Sequence, residues 1–313
     1  MSAAVQKILV VGGNGFVGSA VCKAALARGM GVTSVSSSGT PYRTPKGHTP
    51  DWVEKVEWRK ADAMNPDTYA DILPDVNAVV HTIGTLLDNT QRNKQFHDKD
   101  FVGLLKSITG ISPVEARHLG GYEKLNRDTA IRMCKAFTAS KPSQGITDVR
   151  PFVYISAEDF GRPVVSVRYI ETKMAAERKI DEIMRDHPQY RAVHVRPSLI
   201  YDPETRPVTI PAKLFTFSAW MHAGMPSFVP MPASILRWLG TRVFPKATEQ
   251  TPSALVSIAT LLSVPPIRVD HLAEAICSSL DPAKNVKGPI GVRAMRELIG
   301  WSKGGPKTSL SQS

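Results

Sequence analysis

Residues 7–18 read Lys-Ile-Leu-Val-Val-Gly-Gly-Asn-Gly-Phe-Val-Gly, an apolar run that passes directly into glycines at 12, 15 and 18. The stretch 16–28 has a helical pattern and stops at Gly29. A buried strand, a glycine turn and a helix form the unit from which an open parallel sheet is built. Glycines let the main chain approach a phosphate, and the unpaired N–H groups of a helix N-terminus face the negative charge. The unit therefore predicts a dinucleotide pyrophosphate site at Gly12, Asn14, Gly15, Phe16, Val17 and Gly18.

Further strands are expected at 31–35, 56–60, 77–81, 151–156 and 191–196, with helices at 66–73, 122–139, 169–187 and 270–280. Strands alternating with helices imply parallel βαβ units. The fold class is α/β, a Rossmann-type doubly wound parallel sheet over 1–200, with a small C-terminal lobe over 201–302 whose late elements return to the core. Residues 88–120 break the rhythm, and a loop this long is a lid, a binding loop or disordered. The polar stretch 303–313 is expected to be a disordered tail.

Composition narrows the class further. A hydrophobic content of 42% supports a substantial core, and no apolar run reaches the length of a membrane-spanning helix. Cys22, Cys134 and Cys277 lie far apart in helical patterns, which suits buried thiols rather than disulfides, and no metal-ligand spacing is present. The formal net charge of +11 fits a nucleic acid, an anionic membrane surface or a basic compartment such as the mitochondrial matrix. No lysine/arginine block is long enough to favour nucleic acid. Only six residues precede the first strand, and no cleavable presequence is expected there.

A second motif carries chemistry. Tyr169 and Lys173 are four apart and share one helix face, and Ser156 ends a strand thirteen residues earlier. Strand tips at the carboxyl edge of a parallel sheet are where ligands bind. Hydride transfer between a carbinol carbon and a nicotinamide needs a matching proton transfer at the oxygen. A phenol with a pKa near ~10 is a poor base until an ammonium stabilises its anion. Tyr169 is thus the candidate general acid/base, Lys173 lowers its pKa and holds the ribose hydroxyls, and Ser156 positions the substrate oxygen. Asn126, on the preceding helix, is placed to hold a water that relays protons to Lys173.

In this order and spacing the chain resembles the short-chain dehydrogenase/reductase superfamily, in its extended or atypical branch. The motifs that carry the resemblance are Gly12-x-x-Gly15-x-x-Gly18, Asn126-Arg-Asp-Thr, Arg196-Pro197-Ser-Leu-Ile-Tyr201 and Val269-Asp270-His-Leu-Ala. It covers roughly residues 5–300. The stretches 79–88 (Val-Val-His-Thr-Ile-Gly-Thr-Leu-Leu-Asp) and Tyr154-Ile-Ser-Ala157 resemble the fungal mitochondrial short-chain-dehydrogenase-like group of coenzyme Q biosynthesis. A more distant similarity is to the nucleotide-binding accessory subunit of respiratory complex I, which warns that NADPH can be a structural ligand in this fold. The resemblance implies that Asp62 and Ala63 meet the adenine. It also implies that Thr82, Ile83 and Gly84 lie along the cofactor, and that Pro197, Ser198, Leu199 and Ile200 pass the nicotinamide. Membership would imply a peripheral protein on the matrix side of the mitochondrial inner membrane, associated with the ubiquinone-synthesis complex. A silent NADPH-binding scaffold in that complex is the alternative to an enzyme.

NAD-preferring enzymes place a carboxylate after the second strand to bind the ribose 2′-hydroxyl. Here the position reads Ser36-Ser37-Ser38-Gly39, with Arg43 in reach, which favours NADP(H) over NAD(H). Phe215, Phe217, Trp220, Met221, Met225, Phe228, Met231 and Trp238 either line an apolar, quinone-type substrate pocket, rest on a bilayer or form a core. Arg237, Arg242 and Lys246 flank them and suit contact with anionic lipid.

Overall fold

The structure, a computed structural model, describes residues 6–84, 121, 123–159, 167–204, 238, 264–302 and 305–306. In β1 (Lys7–Val11) successive side chains point to opposite faces, and both faces are buried. Ile8 and Val10 enter one apolar layer, Leu9 and Val11 the other. The glycine turn then opens α1 (Phe16–Ala27). Its end is set by Gly29, whose φ of +75° no side chain adopts cheaply. The N–H groups of Gly29 and Met30 donate back to Leu26 and Ala25 at 3.0 Å, which satisfies the last carbonyls.

The remaining main-sheet strands are β2 (Gly31–Ser36), β3 (Val56–Lys60), β4 (Ala78–His81), β5 (Arg150–Ile155) and β6 (Tyr190–Arg196). They run parallel in the order β3-β2-β1-β4-β5-β6, the doubly wound Rossmann-type arrangement. The helices α2 (Thr129–Ala139) and α3 (Val167–Arg185) cover one face through Met133, Phe137, Ala176 and Ile180. On the other face α1 packs on α4 (Val269–Ser279), with Val21, Cys22 and Ala25 in the same layer as Leu272, Ile276 and Cys277. Each fully buried Ile or Leu in these layers contributes about 1.5–3 kcal/mol. The short pair β7 (Ile200–Tyr201) and β8 (Ile267–Arg268) sits beyond the end of β6.

One strand of the main sheet was not legible beforehand. Gly288–Gly291 forms β9, parallel to β6 at the sheet edge, and leads into α5 (Val292–Leu298). It holds two glycines and a proline, which no strand propensity favours, and pairs because an edge strand needs only one neighbour.

Three expectations are corrected. Residues 66–73 are not a helix but two separate turns, Pro66–Thr68 and Leu73–Asp75. The Thr68 hydroxyl bonds the Asn65 carbonyl at 2.7 Å and Asn65 Oδ1 accepts from Asp67, so local side-chain bonds replace helical ones. The helix expected from 122 opens with a π-helical segment, Glu123–Asp128, and becomes α-helical at Thr129. The tail is not wholly irregular, since β11 (Gly305–Pro306) pairs antiparallel with β10 (Trp301–Ser302). The loop 88–120 and most of the aromatic segment, with Arg237, Arg242 and Lys246, lie outside the described residues; Trp238 is described and exposed.

Cys22, Cys134 and Cys277 are free and buried, and burial pushes all three thiols up. Among the described residues no group of three His, Cys, Asp or Glu side chains is placed to hold a metal, and no helix is long and apolar enough to cross a membrane.

Candidate active site

The glycine turn lies at the carboxyl edge of β1, beside the point where the strand order reverses between β1 and β4. Gly12 has φ +88° and donates its N–H to the Val35 carbonyl at 2.8 Å, tying the turn to β2. A Cβ on Gly18 would lie 2.2 Å from the Gly12 carbonyl oxygen, so the helix packs on the turn only because residue 18 is glycine. Gly15 caps α1 with an extended backbone and no capping side chain. A Cβ there would meet only Gly12 O, at 3.2 Å, so the turn is open on that side. Gly13, absent from the sequence-based set, is the tightest of the four against a side chain. Its Cβ would fall 2.3 Å from Ser34 Oγ. The doubled glycine was the available signal.

Asn14 links this turn to the end of β2. Its Nδ2 donates to Ser38 Oγ at 3.2 Å and to the Thr40 carbonyl at 3.4 Å. Ser38 Oγ lies 2.8 Å from Thr40 Oγ1, and Ser36 Oγ accepts from the Gly39 N–H at 3.1 Å. Ser36 and Ser38 thus hold the turn, while Ser37 and Arg43 are exposed beside it. Asp62 Oδ1 accepts from the Met64 N–H at 2.9 Å and so caps its own turn, leaving its other oxygen toward solvent. Ala63 is half-buried against the α2/α3 layer.

Past β4, Thr82 Oγ1 donates to the Val11 carbonyl at 2.8 Å, and Ile83 lies against Gly12. Gly84 has the most consequential position. A Cβ on it would lie 2.7 Å from Lys173 Nζ and 3.0 Å from Asn126 Oδ1. These two side chains therefore converge on one point above the end of β4. Lys173 Nζ donates to the Ile155 carbonyl at 2.8 Å and lies 4.8 Å from the Tyr154 ring centroid. Ser156 follows directly. Its Oγ is buried and has no hydrogen-bond partner among the described residues. Tyr169, in the first turn of α3, is half-buried in the cluster of Ala157 and Ile170. The structure thus gathers Asn126, Ser156, Tyr169 and Lys173 around the carboxyl ends of β4 and β5.

Asn126 is fully buried in the π-helical segment, and its carbonyl accepts the Tyr154 hydroxyl. π-Helical turns occur often at functional sites. Tyr154, bonded to this segment, is a supporting residue that the sequence reading did not single out. After β6, Pro197 O accepts from the Glu158 N–H at 3.1 Å and Leu199 O from the Ile267 N–H at 2.9 Å. Ser198 Oγ is committed to the Pro265 carbonyl at 2.7 Å, and Ile200 belongs to β7. These four residues cross the carboxyl edge beside Ser156.

Burial lowers Lys173 to about 7, with the Glu177 carboxylate opposing the shift. Burial, followed by the Lys173 charge, lowers His81 to about 3, so its ring is neutral. Both His81 nitrogens are without partners among the described residues, and the ring lies 5.9 Å from that of Tyr154. Burial also holds the Tyr154 phenol well above its ordinary value. A lysine whose proton affinity is brought near neutrality, beside an unpaired serine hydroxyl, is suited to proton traffic at one substrate oxygen. The open side of Gly15, the uncapped helix and the orphaned Ser156 Oγ all fit a bound dinucleotide.

The chain is similar to known proteins over much of its length. Residues 8–236 match the family described as the NAD dependent epimerase/dehydratase family. MIOREX complex component 2 of Saccharomyces cerevisiae is 33% identical over 209 residues, covering 63% of this chain and 74% of that protein. A chloroplastic, uncharacterized protein of Arabidopsis thaliana is 30% identical over 198 residues, covering 63% of this chain and only 51% of its own length. Among solved structures, Thermus thermophilus UDP-glucose 4-epimerase in complex with NAD superposes with a TM-score of 0.51 at 14% identity, covering 94% of this chain and 81% of that one. At that identity the likeness concerns the fold.

Proposed function

The chain belongs to the NAD dependent epimerase/dehydratase family, and from that premise we propose that it is an NADP(H)-dependent oxidoreductase acting on a carbonyl or carbinol group of an apolar, quinone-type substrate. The observation that carries the reading is the convergence of Lys173 and Asn126 at Gly84, beside the unpartnered Ser156 hydroxyl. Gly12, Gly15 and Gly18 with the first turn of α1 hold the pyrophosphate, and Lys173 holds the ribose. When bound, the nicotinamide supplies or accepts the hydride at the substrate carbon. Ser156 donates a hydrogen bond to the substrate oxygen. In the reductive direction Tyr169 gives its phenolic proton to that oxygen and becomes phenolate, which the Lys173 ammonium stabilises. Solvent then returns the proton to Tyr169.

The preference for NADP(H) rests on the serine turn. No carboxylate follows β2 to repel a 2′-phosphate, and Ser37 and Arg43 face outward there. The proposal includes a place in ubiquinone biosynthesis on the matrix face of the mitochondrial inner membrane. Its support is the motif resemblance and the net charge of +11; the Arabidopsis relative is chloroplastic, which favours an organellar setting in general.

A second reading is favoured by one observation: the yeast relative is named as a complex component. In that reading the protein binds the cofactor and serves assembly without turnover. Titration of purified protein with NADPH and NADH, followed by nicotinamide fluorescence, tests the shared premise. Tyr169→Phe separates the two readings: it abolishes turnover with NADPH affinity nearly unchanged if the protein is an enzyme, and it is silent if it is a scaffold.

A further inference from the structure

Lys173 is not isolated on its helix face. Tyr169, Lys173 and Glu177 repeat every four residues along α3, so the three form one stripe facing the sheet. Glu177 is only 4% exposed. An isolated buried carboxylate is expensive, and this one is paired: Arg196, the last residue of β6, reaches it with two nitrogens, Nε to Oε1 at 2.9 Å and Nη2 to Oε2 at 2.5 Å. The Glu177 carboxylate therefore lies between two cations, Lys173 one turn toward the site and Arg196 on the sheet. The Arg196 side chain takes both oxygens, whereas Lys173 spends its hydrogen bond on the Ile155 carbonyl.

We propose that Glu177 and Arg196 are positioning residues that set how readily Lys173 carries a proton when the cofactor binds. This rests on the reading that Lys173 holds the cofactor's ribose. The Glu177 charge favours the ammonium form, and Arg196 limits that effect by engaging the same carboxylate. Neither residue needs to touch cofactor or substrate. The other groups facing Lys173 are Tyr154 on β5, the neutral His81 on β4, Tyr169 on its own helix and the uncharged Asn126 amide. Facing the Glu177–Arg196 pair are Glu158, just after β5, and Asp181 on α3. Burial raises Glu158, with the Arg196 charge acting against that shift.

The test is the pH dependence of NADPH affinity, read by nicotinamide fluorescence on the full chain. In the unsubstituted protein, affinity holds while Lys173 is protonated and falls above its pKa. Glu177→Gln moves the midpoint of that fall down by about one pH unit, and Arg196→Met moves it up, because the carboxylate then acts on Lys173 alone. The double variant returns close to the starting midpoint. Opposite shifts are the decisive signature, since two merely structural losses would weaken binding in the same direction. Arg196→Met also keeps the test intact if Glu177→Gln does not fold. Midpoints that stay put, or move together, overturn the proposal while leaving Lys173 at the cofactor. A pH step that persists in Lys173→Met overturns the underlying reading as well.

Discussion

Lys173 Nζ lies 2.8 Å from the carbonyl oxygen of Ile155, the residue immediately before Ser156. A helix residue is thereby tied to the strand tip that presents the orphaned serine hydroxyl. The hydrogen bond fixes the ammonium under the site before any ligand arrives, which removes part of the ordering cost of binding.

The same burial has a stability consequence. Lys173 is lowered from 10.5 to about 7 on folding, chiefly by desolvation. The unfolded chain keeps the proton up to the higher value, and the folded chain only up to the lower one. The cost of burying the charge is therefore complete below pH 7 and is relieved as pH rises from about 7 to about 10.5. Lys173→Met is expected to stabilise the protein near pH 6, with that relative gain shrinking by about 1.4 kcal/mol per pH unit between about 7 and 10.5. Urea unfolding at several pH values measures this, and a constant difference across the range contradicts the assignment.

Gly84→Ala is expected to separate folding from function. The added Cβ meets the tip of the Lys173 side chain and the Asn126 amide, not backbone. A flexible lysine can withdraw, so the loss of stability is about 1 kcal/mol. The withdrawn ammonium no longer reaches the ribose, and NADPH affinity falls by about tenfold, which is about 1.4 kcal/mol. Thermal melting and fluorescence titration on the same sample check both halves.

Gly13→Ala is a stability variant with a designed partner. Its Cβ would meet Ser34 Oγ at 2.3 Å and Ser34 Cβ at 2.8 Å. Overpacking of this kind costs about 1–3 kcal/mol. Ser34 Oγ is buried without a hydrogen-bond partner, so Ser34→Ala alone is expected to be neutral or mildly stabilising. Combined, the two substitutions recover part of the loss, because the closest clash is gone. A double-mutant cycle in urea gives the coupling, and strict additivity counts against the contact.

Ser37→Asp tests the cofactor reading. Ser37 is exposed between Ser36 and Ser38, whose hydroxyls hold the turn, so the change leaves the local fold intact. A carboxylate there repels a 2′-phosphate and accepts from a 2′-hydroxyl. The ratio of NADPH to NADH affinity is expected to drop by about tenfold or more, about 1.4 kcal/mol. Equal weakening of both cofactors would sink the serine-turn argument.

Much of the fold was legible because it is written in short-range patterns. The central strands β1 and β4 are apolar runs buried on both faces, and the glycine turn needs glycines at fixed offsets. Gly288–Gly291 escaped notice because its pairing with β6 is a long-range event with no local signature. The π-helical segment was equally hidden. Its Asn126 carbonyl accepts the Tyr154 hydroxyl of β5, a contact between residues 28 apart in the chain.

The sequence by itself determined which residue types stand at the tips of β4 and β5 and on one face of α3, because periods of 2 and 3.6 dictate those faces. It also determined the turn at Gly12–Gly18, where a side chain at position 12, 13 or 18 would collide with its neighbours. Tertiary structure alone decided how those tips meet. The space left by the absent Cβ of Gly84, the Lys173 bond to Ile155 and the Arg196 grip on Glu177 join different elements. Such contacts follow from how the sheet and helices pack, and burial there, not residue type, sets the lysine's proton affinity.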